Sequence, residues 1–406
     1  MKKPELLAPA GDPEKLEVAV AYGADAVYLG GRHLGLRAGA GNFSEDELIA
    51  GVKYAHSKRV KVYVAVNVFA HNSDLELLPP WLLAIGRAGA DGLIVTDPGV
   101  LVICRQTLPE IPVHLSTQAN TTNWAAVSFW TEQGIKRIIL ARELSLAEIE
   151  EIRRRVPGVE LEIFVHGAMC VSYSGRCLLS NYFTGRDANR GDCAQPCRWN
   201  YTLAEEKRPG LFLPIREDDR GTYILSAEDL CLLRQIPILA AAGINSFKIE
   251  GRMKSVHYLA GVVKAYREAI DEYIAGGSAA WDPSQGLAEL GKVSHRPYSA
   301  GFLYDRPRNA NQENGDRLYQ REYAFIGLVR DYEPDTGMAL VEQRNHFSQG
   351  DQIEIMTPVG KPFRQRIDRI YDLEGNPVAT APHPQQLLKI PVARQVERYA
   401  LLRKPI

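Results

Sequence analysis

Residues 1–277 predict an α/β fold, a (β/α)8 barrel of the TIM type, and residues 322–406 predict a small C-terminal antiparallel β-barrel domain. Three observations carry the first part. Short runs rich in Val, Ile and Leu recur eight times, amphipathic segments separate most of them, and each run ends in small or functional polar residues. Continuous apolar strands with helical crossovers are what a parallel sheet covered by helices requires, and eight such units over about 250 residues match a closed barrel. A doubly wound open sheet is the alternative, but it uses fewer strands and a GxGxxG turn after the first. This chain has APAGDP there.

The strands follow in order. ELLAPAG (5–11) leads into the amphipathic DPEKLEVAVAYG (12–23), AVYLGG (26–31) precedes SEDELIAGVKYAHSK (44–58), and KVYVAVN (61–67) precedes LLPPWLLAIGRAG (77–89). GLIVTD (92–97), VHLSTQ (113–118) and RIILARE (137–143) come next, the last followed by SLAEIEEIRRRV (145–156). LEIFVHG (161–167) and SFKIEGR (246–252) complete the set, and HYLAGVVKAYREAIDEYIAGG (257–277) is a long helix that closes the barrel. In this fold the strand ends converge on one face, where catalytic groups sit. Asp97 before Pro98 is better read as a helix cap.

The alternation breaks between strands seven and eight. An insertion, residues 168–225, carries cysteines and then a hairpin made of RWNYTLAEE and LFLPIRE, and the seventh helix is expected at SAEDLCLLRQI, with Ser226 and Asp229 as its N-cap signal. Residues 278–321, rich in Gly, Pro, Asn and Asp, read as a linking loop. From Glu322, runs such as YAFIGLVRDY, GMALVEQRN and GDQIEIMTP alternate apolar and polar residues between turns, the pattern of antiparallel strands.

With 45% hydrophobic and 24% charged residues the chain buries a sizeable core. Its opening MKKPELLAPAGD has too short an apolar run for a secretory signal, and no segment is apolar for long enough to span a bilayer. A cytoplasmic protein with reduced thiols is expected. A net charge of -1 gives the whole chain no nucleic-acid footprint, although Lys361, Arg364, Arg366 and Arg369, interleaved with Phe363 and Tyr371, suit local contact with an RNA arm.

Of six cysteines, Cys104 reads as an apolar filler in the helical run GVLVICRQTL. The others lie in polar, glycine-bearing sequence, and thiolates gathered in a reduced compartment point to a metal. Paired CxxC knuckles and the tight CxxxCxxC of radical enzymes are both missing. An iron–sulfur cluster tolerates wider spacing, and the residues by themselves leave zinc open. Cys170 follows strand seven and Cys231 falls in the expected helix seven, which places both at one rim. Cys177 and Cys193 come between, and Cys231 is preferred over Cys197 as the fourth ligand because the chain after Cys197 leads away.

EIFVHGAMCVSYSGRCLLS closely resembles the signature of the U32 family, long labelled collagenase-like peptidases. The resemblance extends through APAGDPEKLEVAVAYGADAVYLGG and FKIEGRMKS, and the C-terminal β domain is similar to that of the tRNA-hydroxylating members. It implies O2-independent hydroxylation of wobble uridine in the tRNA anticodon, with prephenate as the small dicarboxylate oxygen donor. It also implies a [4Fe-4S] cluster whose ligands carry over to Cys170, Cys177, Cys193 and Cys231.

Against that implication, a dicarboxylate calls for guanidinium partners, and Arg142 and Arg252 at strand ends qualify, with Lys248, Arg186 and Arg190 nearby. His166, Glu250 and Lys248 are the catalytic candidates, with proton transfer expected of His166 and Glu250. Gln118 and Asn120 suit recognition of a base edge. Three rival readings stand beside this one. A U32-type peptidase lacks a GxSxG elbow and an HExxH site here; the other two are a hydroxylase of another RNA or of a quinone precursor, and a non-catalytic RNA-binding or assembly protein.

Overall fold

The computed structural model describes residues 3–31, 41–170, 172–199, 216–218, 221–223, 228–277, 281–304 and 320–406. Seven strands, β1 (Glu5–Pro9), β2 (Ala26–Gly30), β3 (Lys61–Val66), β4 (Gly92–Val95), β5 (Val113–Leu115), β6 (Arg137–Ile139) and β7 (Glu160–Ala168), pair in parallel in sequence order. Beyond β8 (Asp229–Cys231), strand β9 (Ser246–Ile249) pairs in parallel with both β1 and β7 and closes an eight-stranded barrel. These strands are buried along nearly their whole length, which is why they read as unbroken apolar runs. The crossover helices begin on local signals. Asp12 caps Pro13–Ala21, Ser44 and Glu47 form a capping box on Glu45–Ser57, Ser145 and Glu148 form another on Leu146–Arg155, and Asp97 accepts from Val100 N at 3.0 Å.

The N-terminal end of the barrel is floored by charge. Arg137 reaches Glu5 at 2.5 Å, Glu160 at 2.7 Å and Glu162 at 3.2 Å, and Lys248 Nζ lies 2.9 Å from Glu162 Oε1. Tyr63 donates to Glu5 at 2.9 Å. Glu162 is fully buried, and burial alone would raise its carboxyl pKa; Lys248 and Arg137 outweigh burial and hold it below the usual range.

Three sequence expectations change. Asp229–Cys231 is not helical: it runs antiparallel to the end of β7, with Leu230 opposite Gly167 and Cys231 opposite His166, and a 3-10 turn at Leu233–Gln235 leads into an α-helix that begins only at Ile236. Asp229 does not cap a helix but accepts from Arg296 Nη2 at 2.7 Å and Nε at 3.0 Å, with both residues buried. The loop expected over 278–321 holds a helix, Ser284–Gly291, and a short strand, Tyr298–Ser299, which pairs with β8. In the insertion most of both arms of the expected hairpin, and Ser226, lie outside the described residues, and the pairing seen joins Arg216–Asp218 to Gly221–Tyr223.

The C-terminal residues form a curled antiparallel sheet of eight strands, with Tyr323–Glu333 and Met338–Gln343 at its centre. Alternation places Ile353, Ile355, Phe363, Leu388 and Ile390 in its own core. Leu328, Met356, Tyr399 and Leu401 instead join the barrel's core. The Tyr22 hydroxyl lies 2.9 Å from Met356 O and 3.0 Å from Tyr399 O, Glu14 pairs with Arg330 at 2.6 Å, and fully buried Arg403 pairs with Glu289 and Glu354. Among the described residues, no helix is long and apolar enough to cross a membrane.

Burial would lift the Glu354 carboxyl, but the Lys292 hydrogen bond and the Arg403 charge hold it at about 2. Its stabilising effect is therefore full above the unfolded value near 4.3 and is lost as pH falls through the folded value. Glu354→Gln is expected to lower the urea midpoint at pH 7 and to make the acid loss between about pH 4.3 and pH 2 shallower than in the wild type. An unchanged acid slope would refute this.

Candidate functional site

The C-terminal mouth of the barrel is roofed by the start of the insertion. At the top of β7 the backbone of Gly167 adopts φ +114, and a Cβ there would lie 2.6 Å from Glu250 O and 2.9 Å from Glu250 Cβ. Only glycine lets β7 and the end of β9 pass so closely. The chain then turns over the mouth, and Arg142 from the end of β6 fastens it by donating to Ala168 O at 2.9 Å and Ser174 Oγ at 2.8 Å. Asn120, in the left-handed conformation after a turn at Thr117–Ala119, donates to Ser174 O at 3.2 Å and accepts from Arg176 Nε at 2.7 Å. Gln118 is buried and accepts from Thr96 Oγ1 at 3.3 Å. Gly175, at φ +72, leaves no room for a Cβ, which would meet Phe69 at 2.8 Å and Gln118 Nε2 at 2.9 Å. The result is an open groove of about 570 Å³ lined by Asn120, Thr122, Ser172, Tyr173 and Arg176.

The structure thus brings together Gln118, Asn120 and Arg142, the last as a fastener of the loop. It does not bring the other predicted residues to this groove. Lys248 is buried at the barrel floor against Glu162, with its Nζ 4.5 Å from the Tyr28 ring centroid. His166 is buried among Tyr298, Tyr266 and Tyr258, ring centroids 5.3, 5.5 and 5.8 Å away, and burial pushes its pKa down to about 3. The expected rim position of these two is corrected accordingly: β8 and the long helix Val256–Gly276 cover the face that His166 presents. Arg252 is buried as well, hydrogen bonded to Asn42, with its guanidinium where a Cβ on Gly30 would have to be. Glu250 is half-buried, its carboxylate 3.5 Å from the Tyr28 hydroxyl. Phe363, expected among the RNA-stacking residues, is buried in the C-terminal core.

Cys170 and Cys193 are exposed, Cys177 is half-buried, and Cys231 is buried with its Sγ 4.0 Å from Tyr266 Oη. Burial raises the Cys231 thiol pKa. Among the described residues no three His, Cys, Asp or Glu side chains are gathered closely enough to hold a metal, so this arrangement does not fit a four-thiolate cluster.

Sequence reasoning missed Arg176, Tyr173 and Thr122, which face this groove. Glu143 Oε2 is buried without a hydrogen-bond partner among the described residues, and burial raises its carboxyl pKa.

Comparison with known proteins gives the following. The model of "Peptidase family U32" matches residues 11–313, and that of "Peptidase family U32 C-terminal domain" matches residues 321–403. The chain is 44% identical to tRNA hydroxylation protein P1 of Bacillus subtilis over 99% of its own length and 95% of the relative's. It is 39% identical to tRNA hydroxylation protein P of Escherichia coli, over 99% and 97%. It is 37% identical to the 23S rRNA 5-hydroxycytidine C2501 synthase of Escherichia coli, over 80% of this chain and 48% of that one.

If Arg142 fastens the roof, Arg142→Ala is expected to speed amide hydrogen exchange across residues 168–177 while the barrel strands keep their protection. Equal protection of that segment in both proteins would show that the arginine holds nothing there.

Proposed function

The chain belongs to peptidase family U32, and on that footing we propose that it is a tRNA-modifying enzyme that converts the wobble uridine of the anticodon to 5-hydroxyuridine without O2. The observation that carries the reading is the pair of relatives named for tRNA hydroxylation, which align over 99% of the chain and so include both the barrel and the C-terminal sheet. The ribosomal RNA relative matches with less than half of its own length, which favours tRNA over rRNA as substrate.

The reaction replaces the C5–H of uracil with C5–OH, a two-electron oxidation of the base, and prephenate is the proposed source of the oxygen and acceptor of the two electrons. The groove at the mouth suits a small ring compound or a single base. The insertion also carries Tyr182, 82% exposed, and Phe183, ring faces on which unpaired bases can stack. Asn120 and Gln118 hold the groove wall, and Glu250 is the one of the three expected catalytic groups that retains solvent access.

A [4Fe-4S] cluster on Cys170, Cys177, Cys193 and Cys231 belongs to the same proposal, on the strength of the resemblance. Among the described residues these thiols are not gathered as a metal site, so the cluster rests on that resemblance alone. The peptidase alternative finds no support in the geometry. A Ser or Cys nucleophile near residues 170–174 would need His166 as its base, and that ring is enclosed by three tyrosines.

Two measurements test this. Nucleoside analysis of tRNA from cells lacking the gene is expected to show the bulk of 5-hydroxyuridine lost; unchanged levels would sink the assignment. Protein purified without oxygen is expected to contain about four iron and four acid-labile sulfide per chain. Cys231→Ala should lose that iron and Cys197→Ala should keep it, and the reverse pattern would replace one ligand by the other.

A further inference from the structure

The cations around the mouth are mostly committed to partners. Arg142 uses Nη1 and Nη2 on the roof, Arg186 pairs with Asp192 at 2.6 Å, and Arg190 clasps Asp74 through both terminal nitrogens at 2.7 Å. Lys248 belongs to Glu162, and Arg252 is buried against Asn42. Arg176 differs. Its Nε is fixed by Asn120 Oδ1 at 2.7 Å, and its guanidinium lies 5.2 Å from the Phe69 ring centroid. Neither contact uses Nη1 or Nη2, and no carboxylate among the described residues pairs with it.

A guanidinium held along one edge and across one face keeps its remaining donors in a fixed plane, the geometry that grips a carboxylate or phosphate through two hydrogen bonds. Its side-chain entropy has already been lost in folding, so a ligand has less to immobilise. The neighbours extend the match. Thr122 lines the same groove, and its side chain makes no hydrogen bond to a described residue. Tyr173, 47% exposed, offers a ring face to a planar or cyclic ligand. Gly175 is what sets Arg176 here, since any side chain at that position would strike Phe69 and Gln118 and lift the loop away.

We propose that the Arg176 groove is an anion site that takes a ring-bearing ligand by its carboxylate or phosphate, with Thr122 and Tyr173 contacting the ring and its substituents. The inference deepens the reading above and rests on it for the choice between two anion sources, a carboxylated ring donor and a nucleotide of the RNA. The experiment is calorimetric titration of the full-length protein with prephenate alone and with uridine 5′-monophosphate alone, in the wild type, Arg176→Ala, Arg176→Lys and Thr122→Val.

The expected result is that at least one anion binds the wild type and that Arg176→Ala weakens it at least about tenfold. Arg176→Lys should recover only part of the loss, because a point charge cannot reproduce the fork, and Thr122→Val should weaken binding several-fold with no change of charge. Prephenate binding that depends on Arg176 makes this the donor site, and nucleotide binding that depends on it makes it a phosphate site; either supports the proposal. Binding of neither anion to the wild type, or equal binding by wild type and Arg176→Ala, overturns it. Hydroxylation of tRNA by the wild type is assayed alongside. If it proceeds while Arg176→Ala binds normally, the anion site fails alone. If it is missing while Arg176-dependent binding persists, the tRNA reading fails and the site stands.

Discussion

Gly167 is the constraint on which the mouth of this barrel depends. With a backbone angle open only to glycine and no space for a Cβ beside Glu250, it lets the seventh strand cross the end of the eighth and leave the barrel. The departing segment finds its hydrogen-bond partner in Asp229–Cys231, the returning end of the insertion, so the two ends of that insertion lie side by side. His166 is consequently turned into a pocket of tyrosines, and the residues after Ala168 are laid across the strand ends, where Arg142 and Asn120 receive them.

The two ends of the barrel use charge differently. At the floor, Glu5, Arg137, Glu162 and Lys248 satisfy one another in a buried set, and removing any partner would leave another ionised without compensation. At the mouth, the hydrogen bonds of Arg142 and Asn120 go largely to backbone carbonyls of the insertion, which fixes the shape of the loop without neutralising the charge of Arg176. The floor therefore contributes definition of the barrel, and the mouth keeps a cation whose partner must come from outside.

Much of this was legible in the sequence, and the failures have physical reasons. Strands β1 to β7 declared themselves because burial on both faces demands unbroken apolar runs, and the helices began where Asp12, Ser44 and Ser145 said they would. DLCLLRQI reads as a helix by period, yet its first three residues are a strand because the exposed edge at Gly167 offered them backbone partners that no local pattern announces. Lys248 lies near the end of its strand, where rim and interior look alike in one dimension; only the carboxylate of Glu162 across the barrel draws it down. Gly30 and Gly31, the small residues that end the second apolar run, make room for the side chains of Arg252 and Trp81. Phe363 sits in a basic run, but strand alternation sends it inward while Arg364 and Arg366 face out. Arg176 lies in an irregular loop with no periodicity, and its one signal was a glycine immediately before it.

The closure of the barrel has a consequence for how the chain is made. The hydroxyl of Ser246 and the carboxylate of Glu5 that meet at the floor are 241 residues apart in sequence. On a ribosome adding about 5–20 residues per second, the first strand waits for tens of seconds with one edge unpaired. During that interval its apolar sequence is a template for wrong partners, and contacts of such long range form slowly even once both strands exist. The C-terminal sheet, which docks on Tyr22 and Glu14 of the first helix, arrives later still. Closure of the barrel therefore waits until residue 246 has been made, and docking of the C-terminal sheet on the first helix waits longer still.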